Sequence, residues 1–243
     1  MPTHEKLAGG AVWITERRSV AVSEPRVFVM GPTWMLECIK VESGTCSFVR
    51  DGRRVTQGSG HFGVFLPPFA VVEASYADML WSWVGFSAPG PPPAPWLSAP
   101  LMFDLDAREF PDSPAALLSL VAQPRCHQAL ERASRPSPIS RGAKMALDTT
   151  YRDAVSIAAI AQGLGVSHAH LTRRFERDYG LSPVRYRQQV RIMDANERLF
   201  RGEAIASVAF DVGYQDLSGL YRGFREMCHI SPGEIKKRQD STR

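Results

Sequence analysis

The pattern of hydrophobic and polar positions changes along the chain from short apolar stretches to helical spacing. Before residue 110, short apolar stretches alternate with turn residues at intervals of roughly 8–12 residues. This spacing is typical of the strands of a β-sandwich or barrel. Asp51-Gly52 lies between two of these stretches and predicts a hairpin turn. The predicted strands are Val12–Thr15, Val27–Met30, Trp34–Val41, Cys46–Arg50, Phe62–Leu66, Val71–Ser75 and Met79–Phe86.

Helical spacing begins after the proline-rich segment Pro89–Pro95, which can be neither helix nor inner strand. Ser113 followed by Pro114 predicts a helix start, with an apolar stripe formed by Leu117, Leu118, Val121 and Leu130. Arg135–Pro138 forms a second break in the pattern. We therefore expect an α+β protein with two domains. These are a β domain over 1–110 and an all-α domain over 139–243, joined by a helical linker over 111–138 that is a candidate dimerisation helix.

Two segments of the helical half repeat each other, residues 157–183 and residues 205–232. Up to the turn, the first segment aligns with the second at an offset of 48, and beyond the turn at an offset of 49. One residue is therefore inserted in the second copy. Ile157, Ile160, Ala161, Leu164 and Gly165 match Ile205, Val208, Ala209, Val212 and Gly213, and Leu171, Arg173, Phe175 and Ser182-Pro183 match Leu220, Arg222, Phe224 and Ser231-Pro232. A match of this length predicts two copies of one structural unit.

Each copy has the sequence features of a helix-turn-helix. Apolar residues at i, i+3, i+4 and i+7 from Ile157 form one face of a helix. Gly165 permits the positive φ of a tight turn, and Ser167 is a suitable N-cap for the next helix. Gly213 and Asp216 take these roles in the second copy. The sequence therefore predicts two helix-turn-helix units, over residues 157–179 and 205–228.

The second helix of each unit leaves an outward face that could contact DNA. The candidate contacts are His168, Ala169, Thr172 and Arg173 in the first unit, beside Glu176, and Leu217, Ser218, Tyr221, Arg222 and Arg225 in the second. Arginine can bind guanine O6 and N7 with both arms of its guanidinium; the alternative is an arginine that is only solvated. A helix from Ser182-Pro183 to Phe200 would be ~27 Å long, comparable to one DNA turn of ~34–36 Å. Its arginines, which are candidate phosphate contacts or solvated surface residues, are Arg185, Arg187, Arg191 and Arg198.

Over roughly residues 139–238 the chain resembles the AraC family of transcription regulators. The motifs that carry the resemblance are Ile157–Ala161, Gly165–Ser167, Leu171–Phe175, Gly180–Pro183, Ile205–Ala209, Val212–Tyr214, Leu220–Phe224 and Ser231-Pro232. The resemblance implies base-reading positions at Ala169, Thr172, Arg173, Leu217, Ser218 and Arg222. Leu217, Gly219 and Tyr221 are less polar than is usual in the family, and Asp216 adds a negative charge. We therefore expect the first unit to supply most of the sequence discrimination and the second to anchor to the DNA backbone.

The resemblance also implies a function and partners for the whole chain. It implies a transcription regulator, either an activator or a repressor, that binds double-stranded promoter DNA as a homodimer. RNA polymerase and a small-molecule effector are further candidate partners. The N-terminal half would be a cupin-like effector and dimerisation domain. Its aromatic residues, which either line a ligand pocket or form the core, are Trp34, Phe65, Trp81, Trp83 and Phe86.

A metal ion is not expected in the N-terminal half, since a metal-binding cupin needs paired histidines on one strand. His61 stands alone, and Glu73 has no histidine companion. We expect no cofactor and no enzymatic activity, because the sequence contains no nucleophile arrangement, phosphate-binding loop or metal-ligand spacing. Two alternatives stay open, a cupin-type enzyme fused to a DNA-binding module and a helical protein-interaction module.

Charge and composition favour a nucleic-acid partner inside the cell. Residues 1–140 carry 12 Lys and Arg against 13 Asp and Glu, whereas residues 141–243 carry 17 against 12. A basic C-terminal part favours a polyanionic partner, and the alternative is a basic surface that is only solvated. The chain has no run of ~18 apolar residues and its first ten residues are polar, so we expect neither a membrane span nor export. Cys38, Cys46, Cys126 and Cys228 form no CxxC pair, which favours reduced thiols and a cytoplasmic location.

Overall fold

A computed structural model of the chain describes residues 3–50, 53–92, 99–121, 127–130, 135–228 and 230–240. The contacts divide the chain into two compact units, and the division falls between residues 133 and 134. The first unit is built on an antiparallel sheet and the second is helical, which confirms the predicted fold class. The finer bounds of 1–110, 111–138 and 139–243 stay a prediction.

The described strands of the N-terminal unit form one antiparallel sheet of eight strands. They are β1 (Thr3–Lys6), β2 (Val12–Val29), β3 (Trp34–Arg50), β4 (Arg53–Gln57), β5 (Gly60–Leu66), β6 (Val71–Ala88), β7 (Leu101–Asp104) and β8 (His127–Ala129). The strand order is β1-β2-β6-β3-β5-β7-β8, and β4 pairs with β3. Arg50 pairs with Arg53 across the predicted hairpin, whose turn residues Asp51 and Gly52 lie outside the described residues, as does much of the Pro89–Pro95 segment.

Three strands are longer than the sequence predicts, because β2, β3 and β6 each join two of the predicted strands. Polar residues such as Glu16–Ser19 stay in β2 because their backbone pairs with β6. Register shifts absorb the mismatch between the joined halves, and one of them lies between Ser43 and Thr45. Gly44 occupies that shift with a φ of 75°, and a Cβ there would lie 2.2 Å from the carbonyl oxygen of Asp78. Only glycine fits this position.

One face of the sheet packs against helix α1 (Pro114–Val121), whose N-cap is Ser113 as predicted. Leu117 and Leu120 are buried in the sheet core, whereas Leu118 is exposed. The helix is shorter than expected, since His127–Ala129 pairs with β7 as a strand. Residues 122–126, which include Pro124, and residues 131–134 lie outside the described part of the chain.

Seven described helices make up the C-terminal unit. They are α2 (Pro138–Thr150), α3 (Ile157–Gly163), α4 (His168–Tyr179), α5 (Pro183–Phe200), α6 (Ile205–Asp211), α7 (Leu217–Cys228) and α8 (Pro232–Asp240). The central helix α5 begins as predicted, with Ser182 as N-cap and Pro183 in the first turn. It forms the middle of the unit, because Tyr186, Val190 and Leu199 are completely buried. Among the described residues, no helix has the length and apolar character needed to cross a membrane.

Candidate DNA-binding surface

The first helix pair is α3 and α4, and its turn follows from three local signals. Gly165 adopts a φ of 69° at the end of α3. The amide of Val166 donates to the carbonyl of Ala161 at 3.0 Å, which closes the turn. The hydroxyl of Ser167 accepts the amide of His170 at 3.2 Å and so caps α4. Leu171 and Phe175 are completely buried, so the opposite face of α4 is directed outward.

The second helix pair, α6 and α7, has the same turn. Gly213 adopts a φ of 94°, and the amide of Tyr214 donates to the carbonyl of Ala209 at 2.9 Å. The carboxylate of Asp216 accepts the amide of Gly219 at 2.7 Å. Asp216 is therefore the predicted N-cap of α7, which explains why a negative charge stands at this position. The inserted residue lies in the turn, and both α4 and α7 have 12 residues.

The residues predicted to contact DNA lie on the outward faces of α4 and α7. His168, Ala169 and Arg173 are exposed and Thr172 is half-buried on α4, and Leu217, Ser218, Arg222 and Arg225 are exposed and Tyr221 is half-buried on α7. Neither Arg173 nor Arg222 has an ion-pair partner within the described part of the chain. Their exposed guanidinium groups are therefore accessible hydrogen-bond donors.

The four arginines of α5 behave differently, because each contacts the protein itself. Arg187 donates to the carbonyl of Val155, and Arg191 donates to the carbonyl of Tyr151 at 2.5 Å. Burial lowers the pKa of both guanidinium groups. Arg198 binds Glu203 and Asp211, and Arg185 lies 3.4 Å from Glu226 at the exposed end of the helix. These contacts make Arg187, Arg191 and Arg198 structural residues of the helical unit.

Sequence reasoning missed the acidic residues that hold these helices together. Asp194 on α5 is buried and accepts hydrogen bonds from the Tyr151 hydroxyl at 2.9 Å and from Arg152 at 2.9 Å. Asp178 at the end of α4 accepts the amide of Ser137 at 2.9 Å and its hydroxyl at 2.7 Å. The sequence carries no signal for either pairing, since the partners are about forty residues apart.

The five aromatic residues of the N-terminal unit are divided between the two faces of the sheet. Trp34, Phe65 and Phe86 lie in the core that contacts α1, with ring centroids 5.3 Å apart for Trp34 and Phe86. Side chains alternate between faces along a strand, so Trp81 and Trp83 lie on the opposite side from Phe86. These five residues therefore do not line a single pocket.

The face that carries Trp83 also carries ionisable groups. The indole of Trp83 donates to the Glu16 carboxylate at 3.1 Å, and Arg18 forms an ion pair with Glu16 at 2.5 Å. Glu37, which pairs with Gly85 in the register of β3 and β6, is on the same face. Burial raises the pKa of Glu37 to about 7, Arg18 opposes the increase and Glu16 adds to it.

The other residues considered as ligands are separate from one another. The His61 ring lies against Phe110 with centroids 5.6 Å apart, and Glu73 lies 3.8 Å from Arg54. Cys38 and Cys46 are buried thiols and Cys228 is a half-buried thiol, while Cys126 is outside the described residues. No group of three potential metal ligands occurs in the part of the chain that the structure describes.

The helical unit is similar in sequence to part of known transcription regulators. Residues 160–238 match a family model described as a helix-turn-helix domain. The HTH-type transcriptional activator RhaS of Escherichia coli is 30% identical over 95 residues, which are 39% of this chain and 34% of RhaS. The chain thus spans about a third of the length of the curated relatives it matches.

Solved structures are also similar to this chain, among them the following two. A probable AraC family transcriptional regulator from Rhodopseudomonas palustris is 23% identical and covers 42% of this chain and 98% of its own, with a TM-score of 0.40. ToxT from Vibrio cholerae O395, bound to (E)-4-(8-methylnaphthalen-1-yl)but-3-enoic acid, is 11% identical, covers 93% of this chain and 99% of its own, and has a TM-score of 0.54. The similarity to ToxT shows that both units of this chain have counterparts in one known fold.

Proposed function

We propose that this chain, whose C-terminal unit is a helix-turn-helix domain of the AraC type, is a transcription regulator that binds specific DNA sequences. The proposed contacts are the outward residues of α4 and α7, with one recognition helix in each of two successive major grooves. The first helix would supply most of the base discrimination, through Thr172 and Arg173. The second would contact the backbone and read fewer bases, through Ser218 and Arg222.

One observation carries the proposal: two matched helices each present an exposed arginine that has no intramolecular ion pair in the described chain. Arg173 and Arg222 occupy equivalent positions of the repeat, whereas neighbouring Arg174 and Arg177 lie 3.4 Å and 3.9 Å from Asp178. An arginine without a partner in the protein can bind a guanine edge or a phosphate. A helical module that binds another protein would not require the same free arginine twice.

Salt dependence distinguishes DNA binding from the alternative of a protein-interaction module. A protein that neutralises several phosphates releases counterions, so its affinity for a random-sequence duplex should fall at least about tenfold between 50 and 200 mM salt. Fluorescence anisotropy with the full chain measures this. An affinity that does not change with salt would contradict the proposal and favour protein binding. Selection from a random duplex library then identifies the sequence that the chain prefers.

We also propose that the N-terminal unit binds a small-molecule effector on the face of the sheet that carries Trp83. Charged groups beside aromatic rings can orient a polar ligand, and Glu16, Arg18 and Glu37 provide such groups. A ligand found by screening small amines, sugars and carboxylic acids should change the tryptophan fluorescence of the full chain. Trp83→Phe should weaken this response, with Trp81 on the same face still reporting, whereas Trp34→Phe, on the opposite face, should retain it in full. The opposite result would place the ligand in the α1 core.

Homodimerisation, contact with RNA polymerase, a cytoplasmic location and the absence of enzymatic activity stay predictions. The proposed dimerisation helix is the least supported of them, because Leu117 is buried in its own unit and only Leu118 of the pair is exposed. The mass of the full chain at high micromolar concentration tests dimerisation. A monomeric mass would contradict it and leave the DNA-binding proposal intact.

A further inference from the structure

The loop that leads into the first helix pair contacts the turn of the second pair at a junction beside α5. The junction comprises the loop that leads into the first pair, two residues of α5 and the turn of the second pair. Its members are Tyr151, Arg152, Asp153, Arg191, Asp194, Gly213 and Tyr214. Neither recognition helix provides a residue to this junction, and the proposed DNA contacts do not include it.

Arg191 contacts both this loop and the turn of the second helix pair. Its Nε donates to the carbonyl of Tyr151 at 2.5 Å, and its terminal nitrogen donates to the carbonyl of Asp153 at 3.1 Å. The same guanidinium lies over the ring of Tyr214, with its central carbon 5.8 Å from the ring centroid. The planar fork of arginine can hold two carbonyls and an aromatic face together, which a lysine ammonium cannot do.

Asp194 fixes the loop of the first pair to α5 from the other side. It is 3% exposed and accepts the Tyr151 hydroxyl and the Arg152 guanidinium. Removing the partners of a buried carboxylate strongly destabilises the folded protein, because the charge is left uncompensated. The loop therefore has one favourable position along α5.

The turn of the second pair packs directly against this loop. A Cβ at Gly213 would lie 2.3 Å from the carbonyl oxygen of Arg152 and 2.8 Å from a terminal nitrogen of Arg191. A loop and a turn that pack this closely cannot slide past each other, because protein interiors are packed as densely as crystals of small organic molecules.

Tyr214 extends the contact to the second recognition helix. A Cβ at Gly219 would lie 3.0 Å from the Tyr214 ring, and one at Gly223 would lie 2.8 Å from its hydroxyl oxygen. The side chain of Tyr214 thus lies along the glycine face of α7. A continuous series of contacts runs from the entry of the first pair, through Arg191 and Tyr214, to α7.

We propose that this junction sets the distance and rotation between the two recognition helices, and that Arg191 and Tyr214 are positioning residues for DNA spacing. The inference rests on the proposed function, since it assumes that both helices enter DNA. One base pair more or less between the two contacted boxes moves one box by ~3.4 Å and rotates it by about 34°. A rigid junction would reject that change, and a loosened one would accept it.

The test uses the full chain and a duplex that the chain selects from a random library. Four versions are compared by fluorescence anisotropy at one salt concentration: the selected duplex, the same duplex with one base pair inserted or deleted between the boxes, and one with the second box scrambled. For the native chain, each spacing change should weaken binding about tenfold or more, as a mismatched base pair does. For Arg191→Ala and Arg191→Lys, the loss on changing the spacing should fall below about threefold, and affinity for the scrambled duplex should stay within about twofold of native.

Two matched variants separate positioning from other roles. Arg187→Lys alters a contact from α5 to the carbonyl of Val155, which is not a member of the junction, and should keep the native loss on changing the spacing. Arg173→Ala should weaken binding to the duplexes of all three spacings by the same factor. The melting temperature of each variant is measured first; if Arg191→Ala does not fold, the result for Arg191→Lys decides.

Folded Arg191 variants that keep the native spacing preference would overturn the junction proposal. If the native chain selects no duplex at all, the proposed function fails instead.

Discussion

The two helix-turn-helix units have almost the same backbone but differ in what surrounds their recognition helices. Both turns use a glycine with positive φ and equivalent amide-to-carbonyl hydrogen bonds, and both recognition helices have 12 residues. The helix α4 is held by Asp178, which binds Ser137 at the start of α2. The helix α7 is held by Tyr214, which lies along Gly219 and Gly223. A duplicated scaffold can thus be kept while its anchors and its outward surface diverge.

The two turn glycines should differ most in their sensitivity to substitution. A Cβ at Gly165 would meet nothing within 4 Å, whereas one at Gly213 would meet the carbonyl of Arg152 at 2.3 Å. Gly165→Ala should cost about 1–2 kcal/mol for the left-handed backbone alone. Gly213→Ala should cost about 3 kcal/mol or more, because the backbone must also move. Urea denaturation of the full chain measures both, and equal losses would contradict the close contact at Gly213.

The outward arginines should separate the units by sequence discrimination. Arg173→Ala should weaken binding to the selected duplex by about 1–3 kcal/mol and leave binding to random duplex almost unchanged. Arg222→Ala should weaken both duplexes by similar factors, since its neighbours Leu217 and Tyr221 offer little for base reading. Titrations of both variants against both duplexes provide the comparison. Loss of discrimination at Arg222 alone would reverse the roles assigned to the units.

The acidic anchor of α4 should make the first unit sensitive to pH. Burial raises the pKa of Asp178, but hydrogen bonds from Ser137 and Ser140 and the charge of Arg174 more than offset this, so the pKa is lowered overall. A lowered pKa in the folded state adds stability above the unfolded value near 3.8, and this stability is lost as the pH falls through the folded value. Asp178→Asn should therefore destabilise the unit by about 1–2 kcal/mol at pH 7. The difference between native and variant should be constant well above pH 3.8 and should shrink as the pH falls below it.

Chemical denaturation monitored by circular dichroism at pH 7, 5 and 3 measures this change. Met227, the corresponding position of the second unit by the repeat offset, has no such carboxylate. Met227→Leu therefore serves as the control, with a small loss that should not vary with pH. A constant loss for Asp178→Asn across this range would show that shape, and not charge, anchors α4.

The sequence predicts the helix pairs well because their signals are local. Gly165, Ser167, Gly213 and Asp216 each act within four residues, and all four have the predicted roles. The sheet is predicted less well, since strand length depends on partners that are distant in sequence. Glu16–Ser19 resembles a loop in the sequence, yet it is strand because β6 pairs with it.

The arginines of α5 mark the limit of sequence reasoning about the site. Composition shows that they are cations on one helix, and both phosphate contact and solvation fit that observation. Only the fold shows that the partners of Arg187 and Arg191 are backbone carbonyls more than thirty residues earlier in the chain. Charge therefore predicted a DNA-binding half of the chain but overestimated the number of free cations on α5.

The smallest expected difference between the units lies in their helix caps. Ser167 caps α4 with a neutral hydroxyl at 3.2 Å, and Asp216 caps α7 with a carboxylate at 2.7 Å. Either cap replaced by alanine should cost about 0.5–2 kcal/mol. Asp216→Ala should cost more, because a negative charge also interacts favourably with the positive end of the helix dipole. This extra loss should shrink in 1 M salt, whereas the loss for Ser167→Ala should not.

Asp216→Asn retains a capping oxygen and removes the charge. It should therefore lose some stability relative to the native chain, but less than Asp216→Ala loses. Equal losses for Asp216→Asn and Asp216→Ala would mean that the charge, and not the hydrogen bond, is what stabilises the start of α7.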